Sequence, residues 1–244
     1  MRWLFVIAAI LILPETVTAQ ELKLSEIIPQ SNGTYSGRII QGLLLLSVLS
    51  IAPGLLVTMT SFTRFIIAFS FLRSGLGMQS TPSNLIVISM SLFMTYFVMS
   101  PVFEKSWNEG VQPLIENKIT EEVAFDKITT PLKTFMLDHI REKDLQLFAS
   151  FSNEAEISGT ELAEPSLKLI LPAFLLSELR RGFEIGFLIL LPFLVIDLVV
   201  SVITMSMGMM MLPPTVVALP FKILFFVLMD GWNLIVGELL KSML

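Results

Sequence analysis

An all-α protein is predicted, built from membrane-associated helical hairpins with a small helical extracytoplasmic domain. Three observations carry this class. Of the 244 residues, 54% are hydrophobic and only 15% charged, and the mean hydropathy is +0.78; a soluble domain carries about 25% charged residues. Long apolar runs lie at 39–62, 85–103 and 185–204, on the scale of about 20 residues that a spanning helix needs. Between the second and third run, residues 104–168 hold most of the charge and carry helix-start signals of the kind found in water-facing helices.

The same composition excludes several functions. A net charge of −5 offers no basic stripe to neutralise phosphates, so nucleic acid is not an expected partner. The absence of cysteine removes disulfides, thiolate metal sites and thiol nucleophiles. The single histidine, His139, reads as an ordinary surface residue of a helical segment. No phosphate-binding loop, HExxH or nucleophile elbow is present. Neither an enzyme nor a resident cofactor or metal is expected.

Residues 1–19 read as a signal peptide. Arg2 supplies the positive end, residues 4–13 form an apolar stretch too short to span, and Pro14 ends it. Val17 and Ala19 occupy the small-residue positions of a cleavage site, which places the cut between Ala19 and Gln20. Residues 20–38 are a polar extracytoplasmic lead.

Residues 39–103 form the first hydrophobic hairpin. Its first arm is interrupted by Pro53-Gly54 and continues through Arg64 to Arg73. The Ser74–Pro82 region is rich in Gly and Ser and makes a turn, and 85–103 is nineteen residues without a charge. Residues 104–171 form the extracytoplasmic helical domain. Thr120 before Glu121-Glu122 and Thr130 before Pro131 are two N-cap patterns, which predict two helix starts. Leu132, Phe135, Met136 and Ile140 share one face, and Leu145, Phe148 and Phe151 mark a second amphipathic piece. These faces exceed what one short helix buries, so Phe135 and Phe148 are candidate assembly contacts with a neighbouring copy.

Residues 172–244 form the second hairpin and an amphipathic tail. The run 185–204 contains Pro192 and Asp197, and its partner contains Pro220 and Lys222 before Asp230-Gly231-Trp232-Asn233 ends it. With the mature N-terminus outside, Arg64 and Arg73 fall in the inner loop, and Trp107 and Trp232 fall at the outer interface. Arg180 and Arg181 read as interfacial anchors. Gly182 and Gly186 make a small-xxx-small pair suited to close helix packing.

Two features stand out chemically. A buried ammonium is costly unless paired, so Lys222 calls for a carboxylate. Glu178, of the same or a neighbouring copy, is the first choice and Asp197 the second; the bland alternative is a Lys222 that snorkels to the interface. The other feature is the run Met205-Ser206-Met207-Gly208-Met209-Met210-Met211 before Pro213-Pro214. Flexible, polarizable side chains on a broken helix suit a soft apolar constriction, or else a filler for an irregular turn.

Three stretches, 55–82, 172–179 and 192–233, together with Met99-Ser100-Pro101-Val102-Phe103, closely resemble the flagellar biosynthetic protein FliP family, export-gate subunits of bacterial type III secretion. The resemblance covers most of the mature chain but carries little of 104–164. It implies a ring-like oligomer of about five copies with FliQ and FliR, alongside FlhB-like and FlhA-like export subunits. Unfolded flagellar export substrates would cross the bacterial inner membrane through the resulting pore, with membrane lipid around it. It also implies hairpins raised above the usual bilayer plane, and a gasket made of Met205, Met207, Met209, Met210 and Met211. The injectisome counterpart of this subunit is the near alternative. A small-solute channel, which calls for a polar lining, and a scaffold that seeds assembly without lining the pore are alternatives from other classes.

Overall fold

A computed structural model of the chain describes residues 57–78, 81–151, 165–208 and 213–243, with scattered positions between 42 and 55. The signal-peptide and Ala19/Gln20 expectations therefore lie outside the described residues, as do Met209, Met210 and Met211. All regular structure among the described residues is helical. The elements are α1 (Phe62–Gly75), α2 (Asn84–Ser106), a π-helical turn (Trp107–Val111) and α3 (Gln112–Ile115). They are followed by α4 (Glu121–His139), α5 (Glu142–Ser150), α6 (Leu167–Ser206), α7 (Pro214–Leu228) and α8 (Gly231–Lys241).

Local chemistry sets most of these limits. Helix α1 stops where Gly77 takes a left-handed φ of 75°, a conformation that spares only a residue without Cβ. Inside α2, Ser91 and Thr95 return their hydroxyls to the carbonyls four residues back, at 2.8 and 2.6 Å, which removes two polar groups from an apolar setting. Thr120 stands at the extended N-cap of α4, with Glu121 and Glu122 in the first turn and His139 in the last, an order that complements the helix dipole.

The second start expected at Thr130-Pro131 does not occur. Pro131 is buried inside an unbroken α4, and the carbonyl of Ile128 in the preceding turn is taken by the Ser106 hydroxyl at 3.0 Å. Thr130 bonds back to the Asp126 carbonyl at 2.7 Å instead of capping. Pro172 and Pro192 likewise lie inside α6, which runs for 40 residues and so extends about 60 Å.

Helices α1 and α6 run parallel, as the paired contacts Ile67/Gly182, Phe71/Gly186 and Gly75/Phe193 advance together along both. A Cβ at Gly186 would stand 2.6 Å from the Phe71 ring, and one at Gly182 would stand 3.2 Å from Ile67. The small pair thus brings two backbones close, as its spacing predicts. Helix α7 returns antiparallel to α6, and α8 leaves it at a 65° bend where Asp230 has a φ of 49°. Met136, Ile170, Phe174 and Leu239 belong to the same buried cluster as Phe65 and Phe69. The helical segment between the hairpins therefore shares one core with them. Its α4 and α5 pack on the first turns of α6, which begins at Leu167, ahead of residue 172.

Among the described residues, two helical stretches, Asn84–Ile115 and Leu167–Ser206, are long and apolar enough to cross a membrane, and a third is added if bent α7 and α8 count as one span.

Candidate functional site

Near the N-terminal end of α6, Arg64 of α1 and Glu178 of α6 are both fully buried. The Arg64 Nε donates to Glu178 Oε2 at 2.9 Å, and Nη2 donates to Oε1. Nη1 donates to the carbonyl of Ser242 at 2.6 Å and contacts its hydroxyl at 3.1 Å. A planar, bidentate guanidinium suits this geometry better than an ammonium. At the adjacent position on α6, Ser177 donates to Asp144 Oδ2 at 2.7 Å and accepts the Arg141 backbone N–H at 3.1 Å. The two knots tie α1, α5, α6 and the chain's C-terminal end together.

His139 takes part in the same clasp and is not the surface residue expected. Its Nδ1 lies 2.8 Å from the Phe135 carbonyl, its Nε2 lies 3.1 Å from the Met243 carbonyl, and its ring stacks on Phe135 at 4.4 Å.

A second charged pair lies farther along α6. Lys222 of α7 is 4% exposed and donates to Asp197 Oδ2 at 2.6 Å and to the Gly75 carbonyl at 2.9 Å. Asp197 Oδ1 is buried without a hydrogen-bond partner among the described residues. The expected Lys222–Glu178 pairing is thereby corrected. Nineteen residues of helix, about 28 Å, separate Glu178 from Asp197. The antiparallel register of α7 sets Lys222 opposite the later carboxylate, and Glu178 is occupied by Arg64. Lys222 does not snorkel, because its nitrogen is enclosed between α1 and α6.

Arg64 was the residue least visible from sequence. Reading it as an inner-loop charge is also corrected, since it is buried at the end of the bundle shared with α5 and the chain terminus. The available signal was the need of a cation in an apolar segment for a carboxylate. Trp232 and Arg73 line one small cavity, so they cannot mark opposite faces of a bilayer about 30 Å thick. Arg180 is exposed and pairs with Glu184 at 2.9 Å, in keeping with a surface role. Phe135 is 8% exposed and packs edge-on to Phe174 within its own chain. As an intermolecular contact it is corrected, because that face is filled by α6. Phe148 is half-buried on α5.

At the other end of α6, the helix stops at Ser206 and α7 begins at Pro214. Met205 belongs to the last helical turn and Met207 caps it, and they are 62% and 69% exposed. Gly208 has a φ of 76° and open space around it. The methionine run therefore opens at the tip of the α6–α7 hairpin.

The FliP family model matches residues 45–239. The flagellar biosynthetic protein FliP of Agrobacterium fabrum is 54% identical over 242 residues, covering 99% of this chain and 98% of that protein. The protein of the same name from Rhizobium meliloti is 54% identical over 86% of each chain. That of Bacillus subtilis is 50% identical over 82% of this chain and 90% of its own. With the family model spanning both charged pairs and the methionine turn, and with such relatives aligned along nearly their whole lengths, this chain belongs to the FliP family of flagellar biosynthetic proteins.

Proposed function

We propose that the chain is the pore-forming core subunit of the flagellar type III protein export gate. About five copies would assemble in the bacterial inner membrane with FliQ, FliR and FlhB-like subunits and with an FlhA-like export subunit. Unfolded flagellar proteins would pass through the centre, and α4 and α5 would face the periplasm. The family is not one of enzymes, and the charged pairs serve as joints between helices.

The observation that best supports this reading is the tip of the α6–α7 hairpin. Two exposed methionines precede a glycine in left-handed conformation, and the remaining three methionines follow in sequence. A ring of such tips closes by side-chain contact and reopens through rotamer changes, without breaking strong hydrogen bonds. Sulfur and hydrocarbon suit a seal around polypeptide better than the polar lining of a small-solute channel. The names of the relatives favour the flagellar over the injectisome branch.

The test is replacement of Met209, Met210 and Met211 together by alanine. The assembly is expected to form in normal yield, while small ions leak across the inner membrane of cells making the variant. An intact assembly that stays tight to ions would return the methionines to the role of hydrophobic filler.

A further inference from the structure

A small cavity lies between α1, the start of α2, and the α7–α8 bend. Phe69, Leu72, Leu76, Val87, Met90 and Trp232 supply apolar walls, and Arg73 is its one charged lining residue. Its volume is about 230 Å³, below the range of about 300–1,000 Å³ typical of sites for whole drug-sized ligands. The space suits several methylenes of one chain and not a compact molecule. It is bordered by Ile223 and Val227, which are 37% and 67% exposed, so it meets the apolar outer surface of the bundle.

Arg73 gives the cavity its direction. Its Nη1 donates to the neutral Asn84 side chain, and no carboxylate pairs with it among the described residues. The buried cations of the bundle, Arg64 and Lys222, each hold a carboxylate. A guanidinium left with a neutral partner beside an apolar slot presents one positive charge to an anion whose tail is hydrocarbon. A guanidinium also binds phosphate oxygens well through its fixed fork of donors.

We propose that this cavity holds one acyl chain of an anionic phospholipid, whose headgroup phosphate sits on Arg73. The site rests on the reading of the chain as a membrane protein and goes beyond the export role. The lipid wedges the α1–α2 turn against the α7–α8 bend, where Trp232 already packs edge-on to Phe226 at 5.3 Å.

Trp232 supplies the probe. The full-length chain carrying Trp3→Phe and Trp107→Phe has Trp232 as its sole tryptophan. It would be reconstituted in phosphatidylcholine nanodiscs with small fractions of bromine-labelled phosphatidylglycerol or bromine-labelled phosphatidylcholine. Expected is an apparent affinity about fivefold higher for the anionic lipid, the scale set by one cation near a membrane surface. Arg73→Gln is expected to abolish that preference, Arg73→Lys to keep most of it, and Val87→Phe to reduce quenching by both lipids by filling the slot. Equal quenching by the two lipids in the parent chain would overturn the proposal, as would a preference that survives Arg73→Gln. Absence of quenching by either lipid would also overturn it, since protein would then cover the cavity. The ion-leak assay on the methionine tip does not involve Trp232, so either idea can fail without the other.

Discussion

Arg64 and Glu178 lie 114 positions apart in sequence, yet they form a fully buried, bidentate ion pair that fixes the parallel alignment of α1 and α6. Removing one member strands the other charge away from water, at a typical cost of about 3–5 kcal/mol. Arg64→Ala and Glu178→Ala are each expected to lower the thermal midpoint and the yield of purified protein sharply. The paired change Arg64→Met with Glu178→Leu is expected to do less harm than either single change, because it leaves no buried charge. Thermal unfolding of the four proteins in one detergent checks the order.

Lys222 and Asp197 should behave as a separate unit. Lys222→Ala leaves an aspartate that already has one unpartnered oxygen. It is expected to weaken assembly and motility. Exchanging the two residues, Lys222→Asp with Asp197→Lys, should restore part of the loss. Exchanging Lys222 with Glu178 should restore none, since those residues do not meet. Complex yield and swarming diameter report both comparisons.

Glycines at two positions should respond in opposite directions. At Gly186 a methyl group would collide with the Phe71 ring, so Gly186→Ala is expected to destabilise by about 1–3 kcal/mol through overpacking. Gly237 lies within α8 and an added Cβ meets nothing within 4 Å. Gly237→Ala there is expected to stabilise by about 0.5–1 kcal/mol, the helix-propensity difference. Thermal midpoints of the two variants should move apart.

The chain's end is structural. Ser242 and Met243 give their carbonyls to Arg64 and His139, and Met243 is 5% exposed. Removing residues 242–244 is expected to open the base of the bundle, with loss of hydrogen-exchange protection in α8 and the first turns of α1.

Much of the helical outline was legible in sequence because it rests on local signals. Thr120 with two glutamates marked a real helix start, the Met-Gly-Pro run marked a real break, and Gly182/Gly186 marked a real close contact. Pro131 misled because tertiary packing overrides the local signal: it is buried inside an unbroken α4. The ion-pair partners were illegible for a similar reason. Lys222 has two candidate carboxylates on one helix, and only the register of α7 chooses between them. Arg64 looked like a loop charge because its partner lies beyond the whole intervening helical segment. Trp232 and Arg73 were assigned to opposite sides from sequence order, whereas the 65° bend after α7 brings the tryptophan back to the α1–α2 turn.

The unbroken length of α6 makes its two ends parts of one lever. Its first turns are gripped by Phe135 and by the Ser177–Asp144 bond, while its last turn carries Met205. Over the about 42 Å of helix from Ser177 to Met205, a tilt of about 5° at the gripped end carries the far end through about 4 Å, roughly the width of a methionine side chain. In the proposed ring, a modest rocking of α4 and α5 against their neighbours would part the tips, with no change in the hairpin itself.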